Sequence, residues 1–110
     1  MEKSTNISIK PLISEKPPMF PKNMGFGRHF TNRMFVQNYS PGKLWHSAEI
    51  TELKPIQVHP AIEVFHSGQN IFEGIKAYRA QNGGINIFRL DDHLERFNAS
   101  AKRLAMPEIP

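Results

Sequence analysis

The sequence predicts an α+β domain: a sheet rich in antiparallel hairpins with a C-terminal helix packed on it. Three observations predict it. Two pairs of β-like runs are joined by strong turn signals, NYSPGK at 38–43 and QNGG at 81–84. The stretch from Asp91 places apolar residues at helical spacing and stops before Pro107. With 39% hydrophobic and 22% charged residues the chain can build a core, and at 110 residues it is long enough for one domain but not two.

Residues 1–24 hold Pro11, Pro17, Pro18 and Pro21, four of the nine prolines, and few large apolar residues spaced for a helix or strand. They are expected as an extended tail, either disordered or laid along a larger surface in an open conformation, because proline fixes φ and removes a donor. The domain proper is expected from residue 25 to residue 110. Met34, Phe35, Val36 and Tyr39 mark a strand over 33–39, and after the turn 44–50 forms the returning strand. Residues 56–59 read as a short β run stopped by Pro60, and 61–65 as one helical turn. Over 70–80 (NIFEGIKAYRA) the period is closer to two than to 3.6, so a strand is expected, with Gly74 at a bulge or a close backbone approach. Asn82-Gly83-Gly84 tolerates positive φ, and 85–89 (INIFR) is the partner strand. Asp91 is expected to cap a helix running to about Met106, with Asp92 and Glu95 at its positive end. Leu94, Phe97, Ala101 and Leu104 form the stripe expected to pack on the sheet.

Composition excludes several classes. No apolar run approaches the roughly 18 residues that cross a bilayer, so no membrane partner is expected. The first residues mix Glu2 and Glu15 with Lys3, Lys10 and Lys16 without an apolar segment, and the first arginine is Arg28, which argues against secretory and mitochondrial leaders. The absence of cysteine excludes a disulfide scaffold, a thiolate nucleophile and a cysteine-ligated metal. A cytoplasmic protein is expected. The net charge of +4 comes from fourteen Lys and Arg spread along the chain and interleaved with acids, so a basic surface is favoured over a nucleic-acid interface.

The residues that can carry chemistry are few. His59, His66 and His93 lack ligand spacing, and no metal is expected. Glu73 beside Gly74 is either a buried functional carboxylate or, as its spacing favours, a solvent-facing strand residue. Arg96 is either a solvated side chain or an anion clamp, since a guanidinium near a helix N-terminus can grip a phosphate in a bidentate fork.

The run FHSGQNIFEGIKAYR (65–79), followed by Gly83-Gly84, INIFRLDDHLER and SAKRLAMP, resembles the N-terminal part of the branched-chain amino acid aminotransferases, which are fold-type IV pyridoxal-phosphate enzymes. Upstream, Gly25-Phe26-Gly27, Phe30-Thr31, Met34-Phe35, Gly42, Trp45 and His59-Pro60-Ala61 are similar to that family in the same order, so the resemblance covers residues 25–107. It is specific, because the related D-amino acid aminotransferases and aminodeoxychorismate lyases lack the extended FGxxFTxxMF run.

The resemblance implies the small N-terminal domain of such an enzyme, here incomplete, with pyridoxal 5'-phosphate as cofactor and amino-group transfer between leucine, isoleucine or valine and 2-oxoglutarate. It implies that Arg96 binds the cofactor phosphate, that Phe26 and Phe72 line the pocket for the aliphatic side chain, and that the backbone at Gly74 runs close to the substrate. Aromatic walls suit branched apolar groups, which are recognised by burial and shape. His66-Ser67 stands where the family usually has His-Tyr, so Ser67 is a substrate-binding position at which a phenol gives way to a small hydroxyl. The family's Schiff-base lysine lies in the large domain, beyond the position of Pro110, and none of the eight lysines here occupies its place; Lys76 matches a basic position without a catalytic role. No catalytic residue is expected in this chain, which alone is expected to be inactive. The implied partners are the remainder of the enzyme and a second copy, as a homodimer. The alternative is a non-catalytic interaction module that keeps the aminotransferase small-domain fold.

Overall fold

A computed structural model describes residues 6–11, 16 and 18–110, a mixed α/β chain that divides into two compact units, one ending at Gln57 and the other beginning at Val58. In the first, β1 (Ser8–Ile9), β2 (Arg33–Ser40) and β3 (Leu44–Glu52) form a sheet in the order β1-β3-β2. The β2–β3 hairpin is the one expected from the two runs around NYSPGK. It pairs antiparallel from Arg33 opposite Glu52 to Ser40 opposite Leu44, closed by Lys43 N donating to Ser40 O at 3.1 Å.

The register shifts between Val36 and Asn38, leaving Gln37 opposite both Ser47 and Ala48. Ser47, at this irregularity, lies in the left-handed region at φ 54°. Beyond the bulge, Tyr39 and Trp45 stack edge to face across the strands with ring centroids 5.3 Å apart. The buried side chains among the described residues of this unit are Ala48 and Thr51, both on β3. β1 was not expected: Ser8 and Ile9 pair in parallel with Glu49 and Ile50, and Lys10 N donates to Ile50 O at 2.9 Å. Of the stretch read as an extended tail, residues 1–5, 12–15 and 17 lie outside the described residues.

The second unit contains α1 (Glu63–His66), the hairpin β4 (Ala77–Arg79) and β5 (Ile85–Ile87), and α2 (Leu90–Arg103). The hairpin turns where QNGG predicts: Ala80 N donates to Gly84 O, Gly83 sits at φ 83°, and Asn82 Oδ1 accepts from Gly84 N at 3.0 Å.

Four expectations need correction here. The strand read over 70–80 survives only as Ala77–Arg79, and 56–59 forms no strand. Alternating side chains create a strand only when a partner accepts the ladder bonds, and Pro55 and Pro60 remove donors on either side of 56–59. The helix is capped not by Asp91 but by Arg89, in the left-handed region at φ 51°, with no side-chain cap bond. Asp91 and Asp92 lie instead in the first turn, where their charge faces the positive end of the dipole, and Asp92 Oδ2 accepts from Arg89 Nε at 2.6 Å. Finally, the apolar stripe is not covered by the hairpin of its own unit: Ala101 is 1% exposed, but Leu94 and Leu104 stay exposed. The hairpin strands, three residues each, are too short to roof a helix of 14 residues.

What holds α2 is polar. Asn98 clamps the chain beyond the helix, donating through Nδ2 to Ile109 O and accepting from Ile109 N, both at 2.8 Å. Gln69 Nε2 donates to the end-of-helix carbonyl of Leu104 at 2.9 Å. The helix stops in a Schellman arrangement: Met106 N reaches Ala101 O at 2.9 Å and Ala105 N reaches Lys102 O at 3.2 Å, with Ala105 at φ 53°.

Candidate functional site

His93 and Arg96 are three residues apart on α2, so their side chains share one face. The irregular segment between α1 and β4 brings Glu73 to that face. Arg96 donates through Nε to Glu73 Oε2 at 2.7 Å and through Nη2 to Oε1, a two-pronged ion pair. His93 Nδ1 donates to Glu73 Oε1 at 3.1 Å, a tautomer fixed by the carboxylate, which only accepts. Gly74 N donates to the same oxygen at 3.1 Å.

The Glu73 side chain is 7% exposed whereas that of Arg96 is 67% exposed. Hydrogen bonding from Arg96 above all, with help from His93, the Arg96 charge and Gly74, holds the Glu73 carboxyl down to about 2, against its burial, which acts to raise it. The same bonds push the Arg96 guanidinium above its ordinary value.

Two open grooves meet at Arg96. The larger, about 560 Å³, is lined by Asn70, Ile71, Phe72, Arg96, Ala99, Ser100, Arg103 and Leu104. The smaller, about 330 Å³, is lined by Phe88, Arg89, Asp92, His93 and Arg96. A guanidinium has five N–H donors; Glu73 takes one on Nε and one on Nη2, and the two on Nη1 have no hydrogen-bond partner among the described residues. Two arginines on the larger groove and these free donors fit the phosphate of pyridoxal phosphate, a dianion that accepts planar, charge-assisted bonds. No lysine lines either groove.

The structure therefore places two of the residues singled out from sequence, Phe72 and Arg96, on one groove. Gly74 adjoins them through the carboxylate its N–H helps to hold. Ser67 sits at the end of α1 with its hydroxyl donating to Glu63 O at 3.1 Å and to Glu63 Oε2 at 2.9 Å, and it lines neither groove. Phe26 belongs to the first unit, where it is 87% exposed. Glu73 is the residue that spacing undervalued: its neighbours along the chain alternate as in a strand, but its partners lie 20 and 23 residues away. The HLER spacing, which puts His93 and Arg96 on one helical face, was the available signal for the other half of the cluster. Among the described residues no group of three or more His, Cys, Asp or Glu is placed to hold a metal ion, and no helix is long and apolar enough to cross a membrane.

No family model matches the sequence. Individual curated proteins do. The branched-chain-amino-acid transaminase 1 of Bacillus subtilis (strain 168) is 43% identical over 95 residues, 86% of this chain and 26% of that protein. A probable branched-chain-amino-acid aminotransferase of Streptomyces coelicolor is 41% identical over 103 residues, 94% of this chain and 28% of its own length. The branched-chain-amino-acid aminotransferase of Mycolicibacterium smegmatis is 44% identical over 88 residues, 80% of this chain and 24% of its own length. The chain thus spans about a quarter of the length of the curated relatives it matches. By sequence, this segment is related to the branched-chain-amino-acid aminotransferases, the family its motifs pointed to.

Proposed function

We propose that these residues form the N-terminal small-domain part of a cytoplasmic, dimeric branched-chain amino acid aminotransferase of fold type IV, with the domain spanning 25–110 and 1–24 as its tail. The complete protein moves an amino group between leucine, isoleucine or valine and 2-oxoglutarate. Pyridoxal phosphate, when bound, supplies the electron sink for that exchange. This chain's own residues bind and orient. Arg96 holds the cofactor phosphate through Nη1, and Phe72, 72% exposed beside it on the groove, offers an apolar wall to the branched side chain. Phe26 and Ser67 are further substrate-binding positions, each in its own part of the chain, and Gly74 lets the backbone approach the substrate.

The carrying observation is the arginine whose guanidinium is held on one edge by a carboxylate while the Nη1 donors remain for an anion. The reading also accounts for the exposed apolar side chains of α2 and of the hairpin, which the large domain and the second subunit cover. The Schiff-base lysine comes from the large domain, so the segment alone does not catalyse.

The test is a coupled assay of the full-length protein with leucine, isoleucine and valine as donors and 2-oxoglutarate as acceptor, beside residues 1–110 alone. Turnover with all three donors by the full-length protein and none by the segment is the expected result. A full-length protein that binds pyridoxal phosphate and transfers no amino group from these donors would refute the substrate assignment. A naturally short chain that is monodisperse and binds no pyridoxal phosphate would refute the enzyme reading in favour of an interaction module.

A further inference from the structure

An arginine that is two-thirds exposed samples many rotamers, and freezing them on an anion costs affinity. A carboxylate that already grips the guanidinium removes that cost in advance. Glu73 is built for this role: it is nearly buried, and its two oxygens accept from four donors, Gly74 N, His93 Nδ1, Arg96 Nη2 and Arg96 Nε. Three of these donors converge on Oε1 and one on Oε2, so the carboxylate is engaged mainly from within the second unit. A carboxylate facing a phosphate directly would repel it.

We infer that Glu73 is a positioning residue for Arg96: by engaging Nε and Nη2 it fixes the plane of the guanidinium and leaves the Nη1 edge for a phosphate. The inference rests on the reading of Arg96 as the phosphate-binding residue. His93 and Gly74 extend the brace, since each donates to the Glu73 oxygen that also receives Nη2. Removing the Glu73 charge brings a small opposing gain, because one negative charge near the phosphate disappears. At an ionic strength of about 0.15 M that gain is screened around so exposed a guanidinium, and the loss of orientation dominates.

The test uses full-length protein stripped of cofactor and compares dissociation constants for pyridoxal phosphate and pyridoxal, which differ only in the phosphate. Glu73→Gln keeps the shape but presents an amide N–H₂ to one of the arginine donors, so the fork breaks. The expected result is that Glu73→Gln lowers the preference for pyridoxal phosphate over pyridoxal by about three- to tenfold. It should do so while the far-UV circular dichroism of the cofactor-free protein stays that of the wild type. In an Arg96→Lys background the same change should have no further effect on the preference, because a lysine ammonium has no planar pair of donors for Glu73 to orient.

If Arg96→Lys lowers the preference and Glu73→Gln leaves it unchanged, or weakens both ligands equally, the positioning role is overturned while the phosphate reading stands. If Arg96→Lys itself leaves the preference unchanged, the phosphate reading fails and the inference with it. Should Glu73→Gln fail to fold, His93→Ala decides: losing one of the four donors to Glu73 should lower the same preference by a smaller factor, and no change would overturn the inference.

Discussion

Replacing Ala105 with glycine should tighten the end of the helix that carries His93 and Arg96. Ala105 occupies the left-handed position after α2 at φ 53°, where the chain reverses so that Met106 N and Ala105 N satisfy the carbonyls of Ala101 and Lys102. An L-residue with a Cβ costs roughly 1–2 kcal/mol there. Glycine removes that cost, but its freer unfolded chain gives back about 0.4–1 kcal/mol. The net gain is roughly 0.5–1 kcal/mol, a two- to fivefold change in the local opening equilibrium. Native-state amide hydrogen exchange on the full-length protein reads it directly: the Ala101-bound amide of Met106 should exchange two- to fivefold more slowly in Ala105→Gly. Ala105→Val should accelerate it, because a β-branched side chain suits positive φ least. Exchange that is unchanged or faster in the glycine variant would show that the cap does not limit opening of α2 and would refute the strain argument.

Arg96→Ala should weaken retention of pyridoxal phosphate strongly while the far-UV circular dichroism of the full-length protein stays unchanged; wild-type affinity would sink the phosphate assignment. The Glu73–Arg96–His93 brace depends on an ionised carboxylate, held down to about 2 from an ordinary value of 4.5. Its contribution is present in full above the ordinary carboxylate range and is lost as the pH falls through about 2, so wild-type and Glu73→Gln proteins should converge in thermal midpoint between pH 5 and 2. A constant difference across that window would show that the pair does not stabilise the fold through its charge. Ser67→Tyr should alter the ratios of kcat/KM among leucine, isoleucine and valine, and identical ratios would remove Ser67 from the substrate pocket.

Local chemistry was enough to specify both hairpins and the last helix. Proline and glycine in NYSPGK, asparagine and glycine in QNGG, and apolar residues three and four apart from Leu94 are instructions that act within a few bonds of themselves. The family motifs were equally legible, because they are strings of residue types. Three features lay beyond local chemistry. The parallel strand Ser8–Ile9 exists only because β3 offers an edge some 40 residues later. The strand expected over 70–80 shrank to Ala77–Arg79 because its short partner β5 offers ladder bonds only to those residues. Glu73 reads as a solvent-facing carboxylate until the chain returns α2 to it, and its burial, its lowered pKa and its grip on Arg96 all follow from that return. The sequence by itself determined which residues can turn, pair and coil, and which family they resemble. The tertiary structure alone decided which acid meets which base, because a hydrogen bond across 23 residues is set by the path of the whole intervening chain and not by any residue type within it.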